Sequence, residues 1–217
     1  MLRALCLDLM GTLLFDPYIA ALEAATGLDA TVAHRLKDPM SWSEFECGRI
    51  DEAEWIRRFF RNAEEGHPLD VPAFHAARRE GYRFLPGMRT LLGALDGRLG
   101  RYVASNYPVW IEELRATFDL DSWCEGVWAS HHLGVRKPDA AFYRRLLQRI
   151  DHPPSACLFV DDREENCAGA EAAGMLAHHF GGVDGLVARL RAEGVDVDLT
   201  RTDTRTDAGT RSTRLPQ

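Results

Sequence analysis

The chain has 217 residues, 46% of them hydrophobic, and a formal net charge of −7. This suits one core domain carrying an insertion and speaks against a binder of nucleic-acid phosphates. Its five cysteines, Cys6, Cys47, Cys124, Cys157 and Cys167, are odd in number, scattered and without C-x-x-C spacing, so no disulfide framework or zinc site is indicated and a cytoplasmic, reducing setting is expected.

In chain order, the opening residues Met1 to Leu7 begin like a signal peptide, but Asp8 interrupts the apolar stretch before it reaches the length of an h-region. The run Leu5 to Leu7 instead reads as a strand that ends in Asp8. The next short apolar run, Tyr102 to Ala104, is much further on than a single crossover helix requires, so something is inserted between them. Helix-like segments at Pro17 to Thr26, Asp51 to Asn62 and Val71 to Gly81 are broken at Gly27, Asp38-Pro39, Gly48 and Gly66-His67-Pro68. They predict a helical cap over residues 16–83. Trp42, Phe45, Trp55, Phe59 and Phe60 recur there at helical spacing, which means packing within the cap rather than stacking on a substrate. Arg49 and Arg57 are read as solvated charges.

The core resumes at Leu85-Pro86-Gly87, ahead of a helix over Met88 to Leu95. Apolar runs follow at Val127 to Ala129 and Cys157 to Val160, separated by amphipathic stretches. That alternation predicts an α/β fold: a Rossmann-like three-layer core with a parallel sheet over residues 1–15 and 84–197. No segment is long and apolar enough to span a bilayer. From Asp198 the chain turns to Thr, Arg, Asp and Ser, and 198–217 is expected to be a disordered tail.

Three of the runs end in polar residues, namely Asp8, Ser105-Asn106 and Asp161-Asp162, and in an open parallel sheet such groups converge on one crevice. Asp8 is followed by Gly11, which permits a tight turn, although a lone Asp can simply end a strand. Asp162 can be an ordinary helix N-cap with Glu165 as its capping-box partner, yet paired carboxylates beside Asp8 repel one another, and a hard divalent cation such as magnesium relieves this most directly. Lys137 precedes Pro138, read as the first residue of a helix running to Gln148. A cation at that end of the macrodipole is either a solvated loop lysine or the partner of an anion. Ser105 and Asn106 suit phosphate oxygens and ordinary turns alike.

Taken in order, Asp8-Leu9-Met10-Gly11-Thr12, Ser105-Asn106, Gly134-Val135-Arg136-Lys137-Pro138-Asp139 and Val160-Asp161-Asp162-Arg163-Glu164-Glu165-Asn166 resemble the four motifs of the haloacid dehalogenase-like (HAD) hydrolase superfamily. The insertion between the first and second motifs is similar to that family's small helical (C1) cap. The resemblance covers roughly residues 1–195, including the run Asn166 to Met175 after the fourth motif. It implies a magnesium-dependent phosphatase of a small phosphorylated metabolite. Asp8 is then the nucleophile, Thr12, Ser105, Asn106 and Lys137 hold the phosphate, and Asp8, the Met10 carbonyl oxygen, Asp161 and Asp162 surround the metal.

The family's phosphatases usually carry a second Asp where this chain has Met10. That acid–base group is worth about 10²- to 10⁴-fold in rate, and methionine cannot replace it. Haloacid dehalogenases and phosphonate-cleaving enzymes also lack it, as does a catalytically weak binding or regulatory member. Some plant flavin mononucleotide hydrolases are similar in having Met there followed by an Asp-Pro pair, with Asp16-Pro17-Tyr18 as the counterpart in this chain. The paired Asp161-Asp162 favours phosphate chemistry over halide or phosphonate hydrolysis. A small-molecule substrate is expected, no nucleic-acid or membrane partner, and a monomer or homodimer. His131-His132 and His178-His179 lack a third metal ligand and are read as ordinary imidazoles.

Overall fold

The computed structural model describes residues 1–61 and 69–200. The Gly66-His67-Pro68 break and most of the expected tail lie outside them. Five parallel strands, β1 (Ala4–Leu7), β2 (Gly100–Ser105), β3 (Gly126–Ala129), β4 (Cys157–Asp161) and β5 (Leu176–His179), form one sheet in the order β3-β2-β1-β4-β5. The chain builds outward from β1 through β2 to β3, then crosses back to lay β4 on the other side of β1. The carboxyl end of β1 is therefore the topological switch point, where open α/β sheets make their ligand crevice.

Every side chain of β1 is buried, as a central parallel strand requires. Its two faces feed two cores. Leu5 and Leu7 join Val103, Val127, Leu158 and Val160 in the larger cluster, whereas Ala4 and Cys6 join Tyr102, Ala104, Cys157 and Phe159 in the smaller one. The first face is covered by α6 (Met88–Ala94), α7 (Ile111–Thr117) and α12 (Val183–Ala192), through Leu91, Leu92, Leu114, Leu186 and Leu190. The second is covered by α10 (Ala140–Leu147) and α11 (Glu164–Ala172), through Phe142, Tyr143, Leu146, Cys167 and Ala170. The short helices α8 (Leu120–Trp123) and α9 (Ser130–Leu133) flank β3. The result is the Rossmann-like three-layer core expected from the alternation of runs.

Between β1 and β2 stand α1 (Tyr18–Thr26), α2 (Ala30–Leu36), α3 (Ser41–Glu46), α4 (Glu52–Arg57) and α5 (Val71–Gly81). Their boundaries follow local chemistry. Gly27 ends α1 in the left-handed region, with its N–H bonded to the Glu23 carbonyl. The carboxylates of Asp29, Asp51 and Asp70 cap α2, α4 and α5. Phe45, Trp55, Phe59 and Phe74 are buried together, with Phe45 stacked on Trp55 at 5.3 Å between ring centres. Trp110, at the start of α7, is the core's contribution to this cluster and lies 5.0 Å from Phe45 and 5.4 Å from Trp55. The aromatic spacing thus marks packing, as read from the sequence, except that Trp42 also faces a cleft.

Three details differ from the sequence reading. A fifth strand, β5, occupies the sheet edge, where the mixed run Leu176-Ala177-His178-His179 gave no buried-strand signal. The helix expected from Pro138 begins at Ala140, because the Asp139 side chain caps it by accepting from the Ala141 N–H. The helix expected over Asp51 to Asn62 ends at Arg57. Among the described residues, no helix is long and apolar enough to cross a membrane, and all five cysteines are free and buried.

Candidate active site

Asp8 follows directly on β1, and its amide N–H donates to the Val160 carbonyl of β4, so the sheet ladder itself aims this residue beyond the strand ends. The turn after it is closed by Leu13 and Leu14 N–H donating to the Leu9 carbonyl and by Gly11 N–H donating to the Leu14 carbonyl. The Met10 carbonyl takes no part in these bonds. Gly11 has φ +78°, and a Cβ built there would lie 2.8 Å from Asp162 Cγ and closer still to Oδ2. Backbone handedness and the approach of Asp162 therefore both demand glycine. Gly11→Ala is expected to lower the melting temperature by several degrees and to weaken divalent-cation binding, read by calorimetry, since Asp162 must shift. An unchanged affinity would separate Asp162 from the metal site.

Lys137 is 1% exposed. Its Nζ donates to Asp8 Oδ1 at 2.7 Å, to Asp161 Oδ2 at 2.6 Å and to the Ala104 carbonyl at 2.8 Å, which uses all three ammonium hydrogens. Burial disfavours the ammonium, but Asp8 and Asp161 outweigh it and raise the Lys137 pKa. Burial pushes the Asp8 carboxyl up to about 6, with Lys137 pulling down and Asp161 adding to the rise. Asp161 is also held by the Arg163 N–H at 3.0 Å and Asn166 Nδ2 at 2.9 Å, both on Oδ1. Asp162, next along, is exposed, and its pKa is raised by partial burial and by Asp161.

The Asp161 side chain, rather than that of Asp162, thus organises the approach to α11. The N-cap position itself falls to Arg163, with no side-chain capping bond, so the Asp162–Glu165 capping box does not form. Ligand atoms of Asp8, Asp161 and Asp162 lie within 4.8 Å of one another. With one ammonium among three carboxylates, the cluster keeps an excess of negative charge suited to a divalent cation.

The remaining expected site residues divide. Ser105, at the end of β2, is 1% exposed and lines the cleft. Asn106 also lines it, but its amide is committed elsewhere: Nδ2 donates to the Lys137 carbonyl at 3.0 Å and Oδ1 accepts from Lys137 N–H at 2.8 Å. Its side chain is a clamp on the Lys137 backbone, not an open phosphate ligand. Thr12 is fully buried and not part of the cleft wall; its hydroxyl has no hydrogen-bond partner among the described residues.

The cleft above Asp8 has a volume of about 310 Å³ and is walled on one side by the inserted helices. From that side come Tyr18, Lys37, Trp42, Glu46, Phe74 and Arg78, and from the core come Tyr107, Trp110 and Arg136. Sequence reading missed Glu46, Arg78, Arg136 and Asn166 as individual site residues. Arg78 is 2% exposed, reaches Glu113 Oε2 of α7 at 2.6 Å and stacks 4.5 Å from the Trp110 ring. Only Arg136 and Asn166 had a signal available, their position inside the third and fourth motifs. The His pairs stay outside any metal group among the described residues.

The model of haloacid dehalogenase-like hydrolases matches residues 2–174. The chain belongs to this family. It is 32% identical over 201 residues to the chloroplast flavin mononucleotide hydrolase 1 of Arabidopsis thaliana, covering 92% of this chain and 81% of that one. It is 30% identical over 152 residues to a sesquiterpene phosphatase of Aspergillus oryzae, covering 64% of this chain and 72% of that one. Among solved structures it superposes on a predicted HAD-like family hydrolase from Porphyromonas gingivalis with a TM-score of 0.73 at 22% identity, over 90% of this chain and 100% of that one. The fold is therefore common to this chain and to that structure.

Proposed function

We propose that this protein is a magnesium-dependent phosphomonoester hydrolase that works through an aspartyl-phosphate at Asp8. The observation that carries it is the charge arrangement at the switch point: Lys137 Nζ between Asp8 and Asp161, with Asp162 in the same cluster. Asp161 has both oxygens engaged by N–H donors. Asp8 and Asp162, together with the Met10 carbonyl, are accordingly the groups that would hold magnesium, with Asp161 beside them as the support of Lys137 and of the α11 turn. Bound magnesium would supply positive charge for phosphoryl oxygens.

The chain's own residues do the rest. Asp8 attacks phosphorus, Lys137 keeps Asp8 ionised and aimed, Asn106 fixes the Lys137 backbone, and Ser105 offers a hydroxyl to a phosphoryl oxygen. Thr12 has no such exposure and is assigned to the structure of the turn. Residues 16–83 act as a cap that excludes water and faces the leaving group, on a core of 1–15 and 84–197. Arg78–Glu113, the Tyr82–Tyr107 hydroxyl pair and Glu46–Arg136 tie cap to core.

The aromatic lining of the cleft suits a small phosphorylated molecule with a planar or bulky apolar leaving group rather than a bare sugar. The Arabidopsis relative is named for flavin mononucleotide and the Aspergillus one for a sesquiterpene, in keeping with such a lining. Action on a small molecule in a reducing, cytoplasmic compartment, without nucleic acid or membrane, as monomer or homodimer, completes the reading; the buried free thiols fit that compartment.

The test is phosphate release from flavin mononucleotide, prenyl phosphates and sugar phosphates, with a chloride-release assay on a 2-haloacid alongside. Phosphate release is expected only with magnesium, with EDTA abolishing it and Asp162→Asn raising the magnesium requirement at least about tenfold. Undiminished turnover in EDTA, or chloride release in its place, would overturn the reading.

A further inference from the structure

A phosphatase of this kind needs a proton donor for its leaving group, and the thioether of Met10 offers none. Two carboxyls outside the Asp8–Asp161–Asp162 cluster line the same cleft, Asp16 and Glu46. Asp16 is exposed, and its Oδ1 accepts from the Tyr18 N–H at 2.9 Å, a turn contact at the base of the cap. Glu46 is different. It is 1% exposed, at the end of α3, and its Oε1 lies 2.7 Å from Arg136 Nε, on the residue that precedes Lys137.

Its backbone is stapled to the core. The Glu46 carbonyl accepts from Ser130 Oγ at 2.8 Å, and that same Oγ accepts from the Tyr107 N–H at 2.9 Å. Two residues on, Gly48 has φ +69°, and a Cβ built there would meet His131 Nδ1 at 3.2 Å. These residues thus hold the carboxyl at a fixed position on the cleft wall.

We propose that Glu46 is the general acid and base of the reaction, supplied by the cap in place of the group that Met10 lacks. The proposal rests on the phosphatase reading above. As Asp8 forms its bond to phosphorus and the ester P–O bond breaks, the departing oxygen takes the proton of Glu46. In the second half, the Glu46 carboxylate takes a proton from the water whose oxygen attacks the phosphorus. Asp8 leaves as a carboxylate, phosphate is released and Glu46 is again an acid.

The charges around Glu46 are Arg136, Lys137 and Lys37, all of which favour the carboxylate, as does a hydrogen bond with Trp42. Burial outweighs them and holds the carboxyl at about 7, so both protonation states are accessible near neutral pH.

The experiment measures phosphorylation of Asp8 in single turnovers, with magnesium, for an alkyl phosphate and for an aryl phosphate with a good leaving group. Glu46→Gln keeps the shape and the oxygen facing Arg136. It is expected to slow the alkyl ester about 10²- to 10⁴-fold and the aryl ester less than about tenfold. In the wild type, which needs no variant to fold, the alkyl rate is expected to fall as pH rises through about 7, because the acid form is lost, while the aryl rate holds. Equal losses on the two esters, a flat alkyl profile, or the selective loss appearing in Asp16→Asn instead would overturn the assignment while leaving the phosphatase intact. Absence of phosphate release from every ester by the wild type would remove the phosphatase reading itself.

Discussion

Replacing Asp8 with Asn is expected to remove turnover, by on the order of 10⁴-fold or more, while leaving the protein folded. The amide is isosteric with the carboxylate but cannot form the acyl-phosphate. Stability should not follow activity down. In the metal-free protein the Asp8 carboxyl is raised to about 6 by burial, so the fold favours its protonated form and ionising it costs stability. That cost is absent below the ordinary carboxylate range and is fully present once pH has risen through about 6. Asparagine never bears it, and Lys137 keeps Asp161 and the Ala104 carbonyl as partners. Without metal, Asp8→Asn is therefore expected to melt at or above the wild-type temperature at pH 7.5, with the difference shrinking as pH falls toward 4. Thermal melts across pH, beside initial rates, read both effects. A variant that keeps near wild-type rates would make Asp8 structural.

The largest loss of stability is expected from Lys137→Met. The ammonium is buried between two buried carboxylates, and removing one partner from such a cluster costs about 3–5 kcal/mol because the remaining charges are left without compensation. The thioether chain fills much of the volume, so the loss reports charge more than packing. Activity should vanish as well, since Lys137 orients the nucleophile. Magnesium supplies the missing positive charge, so it should stabilise this variant more than the wild type. Urea unfolding with and without magnesium, at pH 7.5, measures both terms. If the variant unfolds at the wild-type midpoint without metal, the carboxylates take up protons instead and the ion-pair account of the site fails.

Both predictions concern residues whose position was legible in the sequence, Lys137 from its place in the third motif and Asp8 for a topological reason. Asp8, Ser105 and Asp161 each close or follow a short apolar run, and a parallel sheet brings strand ends to one edge whatever its side chains are. The β1 run needed only its hydrophobicity to be read as a strand, and Gly27 marked a helix end by backbone chemistry alone. What stayed hidden depends on partners distant in the chain. The Asn106 amide meets the Lys137 backbone only because β2 and the loop before α10 are neighbours in space. Glu46 reads as a surface residue of a short helix until Arg136 and Ser130 are folded against it. β5 escaped because an edge strand of mixed polarity lacks both the continuous run of a buried strand and a clean alternation.

The same contrast explains why the reaction type was more legible than the substrate. Phosphoryl chemistry is written in carboxylates at strand ends and a lysine in the loop before α10, whereas the leaving group is faced by Trp42, Phe74, Trp110 and their neighbours, whose helical spacing also serves packing. Trp110 does both, closing the aromatic cluster and walling the cleft.

The central claim, that phosphate passes through Asp8, is tested most directly by trapping it there. The wild-type protein is mixed with magnesium and a substrate found in the phosphatase screen, quenched in acid within a single turnover, and its peptides are weighed. The account predicts one added phosphoryl group on the peptide that contains Asp8, labile to base and to hydroxylamine, and absent in Asp8→Asn. Phosphate release at full rate with no such adduct at any quench time, or an adduct on another residue, would contradict it.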